Sequence, residues 1–257
     1  MKRLLACILA LICLAGVAGA EALDRNTLFE FYEDSVFFGD SVMHDFRRYR
    51  SGIRQKDESF LPDVDMICTT SISLYEGSRR YVSDDHYFQF RGVKSSMYKL
   101  AKMVKPSKVF VLLGMNDPVG VRIDNSLIYI QDIIDGMKEF VPEAKVYFFS
   151  MTPITPRYCL QRKRPEYQEQ LNEYNRRLKA LCEEQGVGYI EIAEPLKDAD
   201  GYLNMEYSSD EVCHLNSAGM DVWVQAMCDY AQEQYELDQW IPRAELFKVR
   251  EETPEGD

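Results

Sequence analysis

Ser35-Val36-Phe37-Phe38-Gly39-Asp40-Ser41-Val42-Met43-His44 is a short apolar run that stops at Gly-Asp-Ser. Residues 35–38 read as a parallel strand covered on both faces, because such strands are near-continuously apolar instead of alternating. Gly39 permits a tight turn after it. A serine at a junction of strand and helix has its backbone N–H near a helix N-terminus, where negative charge is favoured. Taken alone, Gly-Asp-Ser reads most simply as a capped turn, since Asp and Ser are common N-caps. The rest of the chain decides whether the serine does more.

Four more apolar runs, at 64–68, 108–113, 145–150 and 188–192, have the same character. Between them lie segments with helical spacing. Residues 123–140 carry Ile123, Leu127, Ile130, Ile134 and Met137 on one face, and Val141-Pro142 ends the pattern. Residues 167–184 and 217–235 repeat it. Strand and helix alternating in this way predict a three-layer α/β/α sandwich around a mostly parallel, flavodoxin-like sheet of about five strands. In such a sheet, ligands bind beyond the carboxyl ends of the strands, so the residues just after each strand carry the interest.

The first twenty residues stand apart. Lys2 and Arg3 precede an apolar stretch at 4–17, and Ala18-Gly19-Ala20 supplies small residues for cleavage. This reads as a secretory signal peptide, too short to be retained as a span of roughly 18 to 20 residues. The expected organisation is therefore a leader at 1–20, one domain at 21–240 and a charged, frayed tail at 241–257. A secreted or extracytoplasmic protein without a stable membrane anchor follows. Removing Lys2 and Arg3 leaves 28 basic residues against 42 acidic ones, a net charge of −14. That surface repels phosphate backbones and anionic lipids, so nucleic acid is not an expected partner. Five cysteines remain outside the leader, at 68, 159, 182, 213 and 228. An odd number at irregular spacing, without C-x-x-C, is neither a disulfide framework nor a zinc site, and small buried core residues are expected. No nucleotide, phosphate or metallopeptidase motif is present, so no cofactor and no metal are expected. Oligomeric state is not legible.

Two more strand ends are informative. The run at 108–113 is followed by Gly114-Met115-Asn116-Asp117-Pro118, where an asparagine amide could donate to an oxyanion. Near the C-terminus, Ser208-Ser209-Asp210-Glu211-Val212-Cys213-His214 places carboxylates three and four residues before a histidine on the loop entering the last helix. A carboxylate there could accept the His Nδ1–H and leave Nε2 to take a proton from a hydroxyl. Ser41, Asn116 and a carboxylate-backed His214 at one end of one sheet make a nucleophile, an oxyanion donor, a base and its orienter.

Together these blocks resemble the SGNH, or GDSL-type, esterase and acylhydrolase family, over 35–235. The resemblance implies Ser41 as nucleophile, His214 as base, and an oxyanion hole formed by the Ser41 N–H, Asn116 and a glycine N–H after the second strand. This sequence departs from the pattern twice. After 64–68 it reads Thr69-Thr70-Ser71, with no glycine before Gly77, so Ser71 is the candidate donor if its backbone conformation is tolerated. The usual acid, three residues before the histidine, is Glu211, while Asp210 lies four before. Asp210 is favoured because Ser-Ser-Asp reads as a turn that can aim a short side chain, with Glu211 the alternative. His44 and His86 are expected at the surface or pocket rim, and Arg162-Lys163-Arg164 as a solvated charge run on a long connection at 152–165.

The expected activity is hydrolysis of a small acyl ester, acetyl above all, on a small molecule, carbohydrate or cell-wall glycan, through an acyl-serine. The alternatives are a glycan O-acyltransferase with the same residues and a non-catalytic glycan-binding protein on the same scaffold.

Overall fold

The computed structural model describes residues 22–82, 87–117 and 122–246. The expected leader at 1–20, His86, Pro118 and the end of the expected tail lie outside the described residues.

A short N-terminal helix, α1 (Arg25–Phe29), leads into β1 (Ser35–Gly39), α2 (Ser41–Arg54) and β2 (Val64–Cys68). After α3 (Leu74–Gly77) comes a small antiparallel hairpin, β3 (Phe88–Phe90) and β4 (Val93–Ser95), followed by α4 (Met97–Val104). The remaining elements are β5 (Lys108–Leu112), α5 (Ile123–Phe140), β6 (Lys145–Phe149), α6 (Pro156–Gln161), α7 (Tyr167–Gln185), β7 (Gly188–Ile190) and α8 (Ser217–Glu236). The main sheet has the order β2-β1-β5-β6-β7 and is parallel throughout. This is the expected doubly wound α/β/α architecture in flavodoxin-like order. Every residue of β1 is buried, as are all but the first of β5 and β6, which is why these strands read as unbroken apolar runs.

Register fixes the geometry of the site. Gly39 pairs with Cys68 on one side and Leu112 on the other, so β2, β1 and β5 end level. The segments that begin at Asp40, Thr69 and Leu113 therefore leave the sheet side by side. On one face, α2 and α8 pack together through Phe46 and Trp223, whose rings stack 4.6 Å apart at 14°. Both side chains are fully buried. Truncating one of them would cost on the order of 3–5 kcal/mol. This stack ties the helix that begins at Ser41 to the helix that follows His214.

The last strand stops at Ile190, two residues short of expectation. The Ser150 hydroxyl takes the N–H groups of Ile192 (2.8 Å) and Ala193 (2.9 Å) and donates to Glu191 (2.6 Å), which replaces the ladder with a side-chain turn. The start of the expected frayed tail is docked. Pro242 is buried, the Arg243 N–H donates to Glu30 Oε2 at 2.8 Å, and Trp240 packs edge-on against Phe31 at 5.7 Å. All five cysteines are free, four buried and Cys68 half-buried. Among the described residues no helix is long and apolar enough to cross a membrane.

Candidate active site

The Gly39-Asp40-Ser41 turn is crowded. A Cβ on Gly39 would lie 2.2 Å from Met43 Cβ and 2.8 Å from the Leu112 carbonyl, so only glycine lets α2 start this close to β5. Asp40 is the N-cap: its Oδ1 accepts the Val42 N–H at 3.0 Å. The capping residue and the serine are thus neighbours, and Ser41 opens the helix with its N–H in the first turn, where helical N–H groups have no carbonyl partner. Asp40 is completely buried, and its Oδ2 has no hydrogen-bond partner among the described residues. Burial pushes its carboxyl up to about 6, against the pull of the Val42 N–H bond and of His214.

Ser41 Oγ lies 3.0 Å from His214 Nε2, and His214 Nδ1 lies 2.6 Å from Asp210 Oδ2. An ionised carboxylate only accepts, so Nδ1 carries the ring proton and Nε2 is left to accept from the serine hydroxyl. The second oxygen of Asp210 accepts three backbone N–H groups, from Val212 (2.8 Å), Cys213 (3.0 Å) and His214 (3.2 Å). Partial burial raises the Asp210 pKa, but hydrogen bonds from the His214 ring and those three N–H groups outweigh it, and the net direction is downward. Asp210 is therefore held as an anion facing the imidazole.

Glu211 faces elsewhere. Its φ of 59° kinks the loop, its exposed carboxylate pairs with Arg157, and its carbonyl accepts the Thr155 hydroxyl at 2.6 Å. Thr155 also donates its N–H to Val212 at 3.0 Å, so the segment after β6 braces the histidine loop from behind. That segment is itself held by buried amides. Asn175 bonds both the N–H and the carbonyl of Met151 at 2.9 Å, and Gln168 accepts the Ile154 N–H at 2.8 Å. Thr155, Gln168 and Asn175 were not singled out in the sequence. The Thr155-Pro156 N-cap signature was the available signal, and the two amides sit unremarked within the pattern of α7.

The segments after β2 and β5 are stitched together. Thr69 to Ile72 form a turn closed by the Ile72 N–H on the Thr69 carbonyl, with Ser71 at φ 64°. A non-glycine residue thus occupies the left-handed conformation that glycine adopts without steric cost. On the other side Gly114, at φ 138°, starts the turn that carries Asn116. One Asn116 amide hydrogen goes to the Ile72 carbonyl at 3.0 Å, which leaves the second free of partners among the described residues. Asp117 accepts the N–H groups of Leu74 and Tyr75 at the start of α3. Burial raises the Asp117 carboxyl, against those two N–H bonds. His44 lies on α2, half-buried, 3.9 Å from Asp45, and takes no part in the hydrogen-bonded relay.

Asp210, Cys213 and His214 bring ligand-type atoms within 4.8 Å of one another. The His and Asp atoms already bond to each other, and burial pushes the Cys213 thiol up to about 12, so it would be a protonated and poor metal ligand. The arrangement suits proton transfer from a hydroxyl better than metal binding.

No curated protein matches the chain in sequence. Among solved structures, a GDSL-like lipase from Bacteroides thetaiotaomicron is similar at 14% identity, with 79% of this chain and 90% of that chain covered and a TM-score of 0.59. A variant of Axe2, an acetyl xylan esterase from Geobacillus stearothermophilus, is similar at 14% identity, with 77% and 94% covered and a TM-score of 0.51. At such identities the likeness concerns the fold. The sequence model of the GDSL-like Lipase/Acylhydrolase family, in contrast, matches residues 37–222, from within β1 to within α8 and across all three motif blocks. The chain belongs to the GDSL-like lipase/acylhydrolase family and is a hydrolase of that family.

Proposed function

We propose that the protein is a secreted serine esterase that removes a small acyl group, acetyl above all, from a carbohydrate or similar alcohol. The observation that carries this reading is the Ser41–His214–Asp210 relay, with hydrogen-bonding separations of 3.0 and 2.6 Å at the carboxyl end of the sheet. Ser41 Oγ attacks the ester carbonyl as its proton passes to His214 Nε2. Asp210 keeps the imidazole in the right tautomer and stabilises the imidazolium. The Ser41 N–H, the Ser71 N–H and the free Asn116 amide hydrogen receive the negative charge that develops on the carbonyl oxygen. His214 then protonates the departing alcohol, and water, deprotonated by the same ring, releases the acid from Ser41. The acetyl preference draws on the acetyl xylan esterase named among the similar structures.

Hydrolysis of 4-nitrophenyl acetate is the direct test. The wild type is expected to turn it over, and Ser41→Ala to lower kcat by about 10⁴-fold or more. Equal rates in the two proteins would remove Ser41 from the chemistry. Export rests on the leader at 1–20. Mass spectrometry of protein exported from cells should find a chain starting at Glu21, and one still starting at Met1 would contradict cleavage.

A further inference from the structure

The long connection after β6, read in the sequence as carrying a solvated charge run, is ordered and divided in two. Lys163 has a φ of 55°, and the N–H groups of Arg162, Lys163 and Arg164 all fold back onto carbonyls of α6, from Tyr158, Leu160 and Cys159 at 2.9–3.0 Å. Arg162 and Lys163 are exposed and Arg164 is half-buried, but only Arg162 and Arg164 line a cleft of about 320 Å³ whose other wall is Asn116 and Met115. The floor is Tyr158 and Tyr167, both buried, with rings 6.0 Å apart and nearly parallel. Each arginine lies against one of these rings, Arg162 at 5.0 Å from Tyr158 and Arg164 at 6.0 Å from Tyr167. The Tyr167 hydroxyl in turn donates to the Asp117 carbonyl at 3.0 Å, which joins the floor to the loop carrying Asn116.

Neither guanidinium has a carboxylate partner among the described residues, although Arg80, Arg157, Arg176, Arg177 and Arg243 all pair with acids in this acidic chain. Asp117 is the one acid among the lining residues, and its carboxylate is engaged by the Leu74 and Tyr75 N–H groups. Ring contacts thus hold two positive charges in place without neutralising them, and leave their N–H donors open beside the expected oxyanion donor. Guanidinium donors in this state match a carboxylate, which they can grip with paired hydrogen bonds. The overall negative charge opposes an anion only weakly at this range, because physiological salt screens distant surface charges beyond about 8 Å.

We propose that this cleft is a subsite for a carboxylate carried on the alcohol part of the ester, so that the preferred substrate is an acylated acidic sugar or similar hydroxy acid. The inference rests on the esterase reading above and extends it to the substrate class. The acyl group on that reading is small, which leaves the alcohol as the part large enough to reach Arg162 and Arg164.

The test compares 4-acetoxybenzoate with its methyl ester, which differ in the carboxylate alone, and reads the ratio of their kcat/KM within each protein. The ratio is expected to fall about tenfold on going from wild type to Arg162→Gln/Arg164→Gln, the loss appropriate to charge-assisted hydrogen bonds. Lys163→Gln, which removes a positive charge facing outward, is expected to keep the wild-type ratio. An unchanged ratio in the double variant, or an equal fall with Lys163→Gln, overturns the subsite. A preference for mono-4-nitrophenyl succinate over 4-nitrophenyl butyrate that depends on the two arginines would overturn the assignment to the alcohol side. Calorimetric titration of Ser41→Ala with the two acetoxybenzoates separates this inference from the esterase reading. Tighter binding of the anion that is lost with the two arginines supports the subsite even if no ester is turned over, while turnover without such a binding difference retains the esterase and overturns the subsite.

Discussion

Two aspartates near Ser41 experience opposite environments. Asp210, on the histidine loop, is a third exposed, and its two oxygens accept three backbone N–H groups and the imidazole. Asp40, in the turn before Ser41, is wholly buried and has one oxygen with no partner among the described residues. The loop stabilises a negative charge, and the turn penalises one. Residue type did not decide which aspartate would hold its charge readily. The supply of backbone donors did, through a loop kinked by the positive φ of Glu211.

The sharpest way to break this comparison is to remove the charge on the loop. Asp210→Asn should lower kcat on a chromogenic acetate by about 10⁴-fold, since the amide would misorient the tautomer, whereas Glu211→Gln should stay within a few-fold of wild type. The reverse result would assign orientation to Glu211.

The second prediction concerns the turn and reads stability. A folded-state carboxyl raised to about 6 from 3.8 means that the native protein binds more protons than the unfolded chain in that interval. Stability from Asp40 is therefore fully present below about pH 4 and declines as pH rises through 6. Over that range wild type should lose up to about 3 kcal/mol more than Asp40→Asn, at 1.36 kcal/mol per pKa unit. Thermal melts of both proteins between pH 4 and 8 check this. Parallel curves would show that Asp40 carries no such penalty.

The smallest effect is expected at the turn after β2. Ser71→Gly relieves a left-handed non-glycine backbone and keeps the N–H, so it should raise stability by about 1 kcal/mol, or roughly 2–4 °C in Tm, with turnover retained. A lower Tm would show that the Ser71 side chain contributes more than its conformation costs.

These same places mark where the sequence was and was not legible. Long helices and two-sided strands announce themselves by periodicity and apolar runs, so α5, α7, α8 and the five sheet strands were read to within two residues. The serine and asparagine were legible because they follow strands of one parallel sheet, and the histidine because carboxylates precede it on the loop entering the last helix. The hairpin Phe88 to Ser95 was not, because three-residue strands with mixed polarity carry no period. Whether Asp210 or Glu211 meets His214 turns on one backbone dihedral, which residue pattern does not encode. The division of Arg162 and Arg164 from Lys163 turns on another. Ser71 belongs to the same class: nothing in Thr-Thr-Ser-Ile requires a positive φ until the neighbouring loops are packed against it.

The docking of Arg243 onto Glu30 and Glu33 has a practical consequence. Both acids immediately precede β1, so the first and last described segments meet at the foot of the sheet, while Ser41, Ser71 and Asn116 cluster at its head. A strand of five residues, roughly 16 Å long, separates the two levels. The fold has an anchoring pole and a working pole. Held to a bead, a fusion partner or a cell surface by either of these segments, the protein would present the Ser41 end of its sheet outward.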